Sequence, residues 1–420
     1  MRVIKSGLYL AGSTGLKIVL GVVGIKIISY YIGVEGFGML GQLMSLMAII
    51  ATTAGGGISN GIISKVSQFK NDSEKINNVI SAGFWIGFGF SLLLGMFLFL
   101  FAGVISKELF EIPDYAFVIR ILAFLQFFNI FSVIYGGYLN GMQRSKFFSI
   151  LTIIASVVGT LGLILFVYLF RVPGAMLGLI WLAVSPGFIF LIAYFFKLRK
   201  EIQLFRFSSV EKENVKSLLK YSFMLIFSSC LLPLAQVLIR KLILDNGGWN
   251  NVGYWQSAAK LSESGLVFLN VVMANYYLPE LGKSESVSEL KKVIKNAYLI
   301  LIPLVSIYVI IVYFMKSFLI SLFFTESFEP AEKLVTWQAV GDVFKVLCLV
   351  FGFLIVLKEK LKVYLLFELL IFTCMLTFSY LFVPKYGVIG ANYAHVLTYF
   401  LCFLVSLGFM GYYFYNEDKL

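Results

Sequence analysis

Residues 334–357 read LVTWQAVGDVFKVLCLVFGFLIVL. A run of this length and apolar character crosses a bilayer as one helix, which takes about 20 residues. Yet Gln338, Asp342, Lys345 and Gly352 recur within it at steps of four, three and seven, all on one helical face. A charged side chain near the bilayer centre costs roughly 2.5 to 3.5 kcal/mol on insertion scales. It persists only where it meets water, a partner or the surface. A spanning helix with such a stripe belongs to a bundle built around a polar interior.

Working outward, apolar runs of spanning length also fall at 6–32, 37–64, 76–105, 116–139, 147–170, 176–196, 218–244, 254–277, 293–315, 363–383 and 391–415. Of the 420 residues 60% are hydrophobic and 13% charged, and the mean hydropathy is +0.92. The expected class is an all-α polytopic membrane protein with twelve transmembrane helices. The net charge of +12 is scattered over short loops, so no basic soluble domain exists to hold nucleic acid. Met1-Arg2-Val3-Ile4-Lys5 runs straight into the first span, without the small-residue site of a cleaved signal peptide. Cys230, Cys348, Cys374 and Cys402 lie in apolar spans without metal-type spacing. They read as packing residues, and neither a metal nor any other cofactor is expected.

The loops set the orientation. With the N-terminus in the cytoplasm, 22 Lys and Arg fall on cytoplasmic segments and five on the opposite side: Lys107, Arg171, Lys316, Lys333 and Lys385. This positive-inside asymmetry places both termini in the cytoplasm. The longest polar stretch lies mid-chain, which predicts a six-helix bundle at 1–196, a cytoplasmic linker at 197–217 and a second bundle at 218–420. The halves echo one another. Gln126-Phe127-Phe128-Asn129 aligns with Asp342-Val343-Phe344-Lys345 at an offset of 216, as Arg144 does with Lys360. The spacing from Lys26 to Gly38 recurs from Lys241 to Gly253 at 215. Repeated halves of this kind are common in alternating-access transporters.

Three more spans carry polar stripes: Gln42, Ser45, Thr52, Gly56 and Asn60 in the second, Gln126, Asn129 and Ser132 in the fourth, and Gln256, Lys260, Glu263 and Asn270 in the eighth. Gly55-Gly56-Gly57 loosens the second near its middle. Singly, such residues serve interhelical hydrogen bonding; four stripes together point to a polar cavity. Seven bases lie inside hydrophobic spans: Lys17, Lys26, Arg120, Arg240, Lys241, Lys260 and Lys345. Three acids oppose them: Glu263, Asp342 and Glu368. That excess suits an anionic cargo such as a diphosphate. Lys17 sits about 16 Å into its span, too deep for easy snorkelling. Lys26, the Arg240-Lys241 doublet and Arg120 lie nearer the outer surface, and snorkelling competes with cavity lining for them. Lys260 with Glu263, and Asp342 with Lys345, are i,i+3 pairs open to mutual neutralisation or to a coupling role. Glu368 has no helical partner and is open to pairing across helices or to binding a coupling proton. His395, the lone histidine, reads first as a packed, hydrogen-bonded residue. No phosphate-cradling glycine loop, HExxH motif or large external domain suggests enzymatic chemistry.

Several blocks resemble the Wzx-type polysaccharide flippases of bacterial inner membranes, in particular the O-antigen and enterobacterial common antigen translocases, of the superfamily that includes the MATE exporters. They are Ala54-Gly55-Gly56-Gly57-Ile58-Ser59-Asn60-Gly61, Arg240-Lys241-Leu242, Val252-Gly253-Tyr254-Trp255-Gln256 and, most specific, Trp337-Gln338-Ala339-Val340-Gly341-Asp342-Val343-Phe344-Lys345 with Phe351-Gly352. The resemblance implies two pseudo-symmetric six-helix bundles and a cargo of undecaprenyl-pyrophosphate-linked oligosaccharide for lipopolysaccharide or other surface glycan. The cargo would move from the cytoplasmic to the periplasmic leaflet. On this reading Lys17, Lys26, Arg240, Lys241 and Lys345 hold the diphosphate, while Gln42, Asn60, Gln126, Asn129, Gln256 and Gln338 line the sugar path. Membrane lipids and downstream polymerase machinery are the expected partners of a monomer. A multidrug or cation antiporter of the same superfamily would want an acid-rich cavity, and a membrane glycan polymerase or ligase a large external loop. Neither is read here.

Overall fold

The computed structural model describes the backbone of residues 2–202, 212–273, 277–284, 286–358 and 360–417. Side chains at 2–11, 200, 212–225, 268, 270–272, 361 and 416–417 lie outside the description, so Asn270 is not placed and the expected linker is placed only in part. The described chain is helical, with no strand. The helices are α1 (Arg2–Ala54), α2 (Ser59–Gln68), α3 (Ser73–Leu100), α4 (Ala102–Phe110), α5 (Ala116–Leu125), α6 (Asn129–Gly141) and α7 (Ser145–Phe196). They continue with α8 (Lys212–Val272), α9 (Leu278–Lys283), α10 (Val287–Phe323), α11 (Glu332–Leu357), α12 (Leu361–Tyr386) and α13 (Ile389–Glu417). Nothing but helix satisfies every backbone polar group within one segment in lipid, and this accounts for the uniformity.

Among the described residues nine segments are long and apolar enough to cross a membrane. Three of them are two helices joined across one non-helical residue: Gly33 in α1, Arg171 in α7 and Gly248 in α8. These three segments, of 57, 52 and 42 residues, are each longer than a single crossing needs. Gly33 (φ 65°, ψ −167°) and Gly248 (φ 75°, ψ 174°) occupy a backbone region that is essentially glycine's alone. They stand 215 residues apart, the offset already seen between Lys26 and Lys241. Arg171 (φ 54°) and Gly387 (φ 67°), which ends α12, stand 216 apart. The duplication is therefore written into the breaks as well as into the side chains.

The chain forms two compact units, residues 1–32 with 42–234 and residues 33–41 with 235–420. In the first, Ile58, Ile62, Ile134 and Phe190 are buried together, and Tyr135 stacks on Tyr194 with ring centres 5.0 Å apart. Asp72 caps α3 by accepting from the Lys75 backbone N–H at 3.1 Å, which holds its carboxyl below the usual carboxylate range. In the second, α11 packs against α10 and α13, and α12 lies against α13. Tyr277, Leu301, Val305, Val350, Phe351 and Cys402 belong to its core. Large apolar side chains such as Leu100, Phe196 and Phe314 are exposed on both units. On a membrane protein that is the ordinary outer face, because the surrounding solvent is itself apolar.

Candidate functional site

A polar assembly in the second unit converges on Asp342, which has 0% exposure. Four helices contribute. From α8, Ser262 Oγ donates to Asp342 Oδ2. From α10, Tyr308 Oη donates to the same oxygen at 3.3 Å. From α13, His395 Nε2 lies 3.2 Å from Asp342 Oδ1. From α11 itself, Gln338 Nε2 lies 3.2 Å from His395 Nε2, and Gln338 Oε1 accepts from Asn392 Nδ2 at 3.0 Å. A protonated His395 Nε2 donates to Asp342, whereas the other tautomer accepts from Gln338. The imidazole thus has two alternative partners within one fixed frame.

Small residues make this convergence possible. A Cβ on Gly341 would lie 2.1 Å from His395 Cδ2. One on Gly265 would lie 2.7 Å from Tyr308 Cε2. Beside Asp342 the glycine of the Trp-Gln-x-x-Gly-Asp block is thus the opening through which α13 delivers its histidine. Trp337 closes the neighbouring edge, its ring at right angles to Tyr393 with centres 4.9 Å apart. Lys345, half-buried on the same helix, extends over the Tyr399 ring, with Nζ 5.8 Å from its centre. Among the described residues no ion pair joins Asp342 to Lys345: the short acid stays at the helix contact while the long base swings toward α13.

A second assembly surrounds the Gly248 break. Arg240 and Gln256 stand eight residues to either side of it. Arg240 has 2% exposure; its Nε and Nη2 donate to Gln256 Oε1 at 3.0 and 2.8 Å, and its guanidinium carbon lies 5.3 Å from the Trp255 ring. Gly41 lies over the pair, where a Cβ would meet Gln256 Oε1 at 2.7 Å and Arg240 Nε at 2.8 Å. Lys241, the next residue, is exposed. Lys260 Nζ and Glu263 Oε2 are 3.0 Å apart at a partly exposed position, where such a pair contributes about 0.2 to 1 kcal/mol. Glu368 on α12 is half-buried.

In the first unit, Lys17 is exposed and Lys26 half-buried on α1. Gln42 is buried, at the first position of that unit's second segment. Asn60 is exposed near the start of α2, just beyond a turn in which Gly56 and Gly57 take positive φ. Gln126 is buried and donates to Ser91 O at 2.7 Å, while Asn129, half-buried, opens α6. Sequence reading missed Ser262, Tyr308 and Asn392, gave Trp255 only as part of a resembling block, and left His395 without a partner. The Asn392–His395 spacing of three and the glycine before Asp342 were the available signals.

A family model described as "Polysaccharide biosynthesis protein" matches residues 3–285. The lipid III flippase of Escherichia coli (strain K12) is 27% identical over 410 residues, covering 97% of this chain and 98% of that protein. The lipid III flippase of Shigella flexneri matches to the same extent. Among solved structures, an inward-facing multidrug resistance MATE family transporter of the MOP superfamily superposes with a TM-score of 0.82 at 17% identity, covering 96% of each chain. A MOP superfamily transporter from Pyrococcus furiosus, described as having a binding pocket of reversed polarity, gives a TM-score of 0.72 at 16% identity, over 99% of this chain and 97% of that one. These superpositions show a MATE-like fold.

Proposed function

The chain belongs to the polysaccharide biosynthesis protein family, and from that membership we propose that it is a flippase for undecaprenyl-pyrophosphate-linked oligosaccharide. It works by alternating access from the cytoplasmic to the periplasmic leaflet of the bacterial inner membrane. It transports its cargo and does not alter it covalently. The observation that carries this reading is the pair of motif cations kept within the spanning part of the second unit, Arg240 buried and Lys345 half-buried, in a chain that is 60% hydrophobic. Full-length likeness to two lipid III flippases supports it.

On this reading Arg240, Lys241 and Lys345 in the second unit, and Lys17 and Lys26 in the first, meet the diphosphate. Arg240 also bonds to Gln256 across the break in α8. The hydroxyl-rich sugars lie against Gln42, Asn60, Gln126, Asn129, Gln256 and Gln338, while the isoprenoid trails in the bilayer. Asp342 and Glu368 are the acids available for coupling, and Lys260 with Glu263 neutralise one another. Both termini are cytoplasmic, the bundles at 1–196 and 218–420 are joined through 197–217, and a monomer delivers cargo to polymerase machinery. An inward-negative potential assists export of an anion by about 2.3 kcal/mol per charge per 100 mV.

Deletion with complementation tests the proposal. Cells lacking the chain should accumulate lipid-linked oligosaccharide in the inner leaflet. Wild type and Lys345→Arg should restore surface glycan, while Lys345→Ala should cut it at least tenfold at equal protein level. Normal surface glycan in the deletion strain, with no second flippase present, would sink the reading.

A further inference from the structure

A groove in the first unit takes no part in the cargo reading. α3 and α5 approach closely at Gly95, where a Cβ would lie 3.0 Å from Ala123 O and 3.1 Å from the Gln126 side-chain nitrogen. Beside that contact opens a cavity of about 360 Å³, lined among others by Leu92, Met96, Phe99, Leu100, Phe124 and Phe127. Its volume is that of a small-molecule site. Every one of these side chains is apolar, and Leu100 and Phe124 are among the most exposed of the unit.

Arg120 stands one helical turn before Phe124 on α5 and is exposed, its guanidinium carbon 5.8 Å from the ring centre of Phe99. Among the described residues no acid forms an ion pair with it. α3 starts beside Asp72 and runs 28 residues, about 42 Å. Leu100 and the start of α5 therefore lie at the opposite end of α3 from Lys70 and Lys75. Arg120 thus stands beside an apolar slot, over the ring of its lining residue Phe99 and one turn from Phe124, with no ion-pair partner among the described residues.

We propose that this groove binds an anionic phospholipid of the periplasmic leaflet, with its phosphate on Arg120 and one acyl chain against Met96, Phe99 and Phe124. The single cation matches the single charge of a phosphodiester, whereas the diphosphate cargo carries two to three. Lipid tails are as apolar as the groove, so little hydrophobic gain comes from filling it. Selectivity comes from Arg120, and one such cation near the surface discriminates about fivefold, the equivalent of ~1 kcal/mol. The assignment needs only that the chain span a bilayer with the Lys70–Lys75 end cytoplasmic. It does not depend on the identity of the cargo.

The test uses the full chain in phosphatidylcholine nanodiscs containing a trace of phosphatidylglycerol with a photoreactive acyl chain, with labelled peptides mapped by mass spectrometry. Labels should concentrate on residues 92–100 and 120–127. Arg120→Gln should reduce them about fivefold, Arg120→Lys should preserve them, and Met96→Trp, which fills the slot, should remove them with Arg120 intact. Equal labelling of α3, α10 and α12, or an unchanged yield in Arg120→Gln, would reduce the groove to annular lipid and overturn the proposal. So would equal labelling by photoreactive phosphatidylcholine, or stronger occupancy by an isoprenyl diphosphate probe. A wild-type chain that labels as expected yet exports no lipid-linked oligosaccharide would count against the flippase reading alone.

Discussion

Gly341, Asp342 and His395 explain why the most specific block of the sequence has the composition it has. An aspartate without exposure needs donors on both oxygens, since a buried carboxylate left unpaired is far more costly than a paired one. Ser262, Tyr308 and His395 supply them. The histidine reaches its place because residue 341 has no side chain. Gly341→Ala should therefore overpack the α11–α13 contact by about 1 to 3 kcal/mol. Gly352 on the same helix has open space, with nothing within 4 Å of where a Cβ would stand, and serves as the control. Thermal melting of the purified protein in detergent should show a clear drop for Gly341→Ala and little change for Gly352→Ala. Equal melting temperatures would mean that the contact is not made. Asp342→Ala strands three donors and should melt lower still than Asp342→Asn, which keeps one acceptor oxygen.

Among the elements, the breaks matter more than the helices. Hydropathy marks α1, α7 and α8 as long apolar stretches, and glycine at 33 and 248 supplies a conformation that side chains avoid. Gly248→Ala should cost roughly 1 to 3 kcal/mol through backbone strain. It should also disturb the Arg240–Gln256 contact across the break. A melting curve, together with the environment-sensitive fluorescence of Trp255 against a Trp255→Phe background, checks both effects. Arg171 breaks α7 at a positive φ of 54° with ψ −122°, outside the region of the two glycines. Its guanidinium lies 4.8 Å from the Tyr31 ring centre, a contact that helps offset the strained backbone. Gly33 with Gly248, and Arg171 with Gly387, recur at 215 and 216 residues, close to the offsets of the matched Lys–Gly spacings read from the sequence.

For the molecule as a whole, loop charge predicts the orientation. Reporter fusions ending near residue 200 should give a cytoplasmic signal, and fusions near residues 111 and 327 a periplasmic one. The reverse pattern would invert the topology and with it the direction of transport.

Helical class, the apolar spans and the polar stripes along them, Lys345 included, were all readable in one dimension, because hydropathy and a period of 3.6 are local properties. Partner choice was not. Asp342 and Lys345 are three residues apart and share a face, yet the acid bonds to side chains 53 and 80 residues away. Arg240 looks like an accessible cation beside Lys241, but it is enclosed by a glutamine from beyond a glycine break. Which of two nearby charges finds a mate depends on where small residues let helices touch. That is a property of packing between distant segments, which no window along the chain contains.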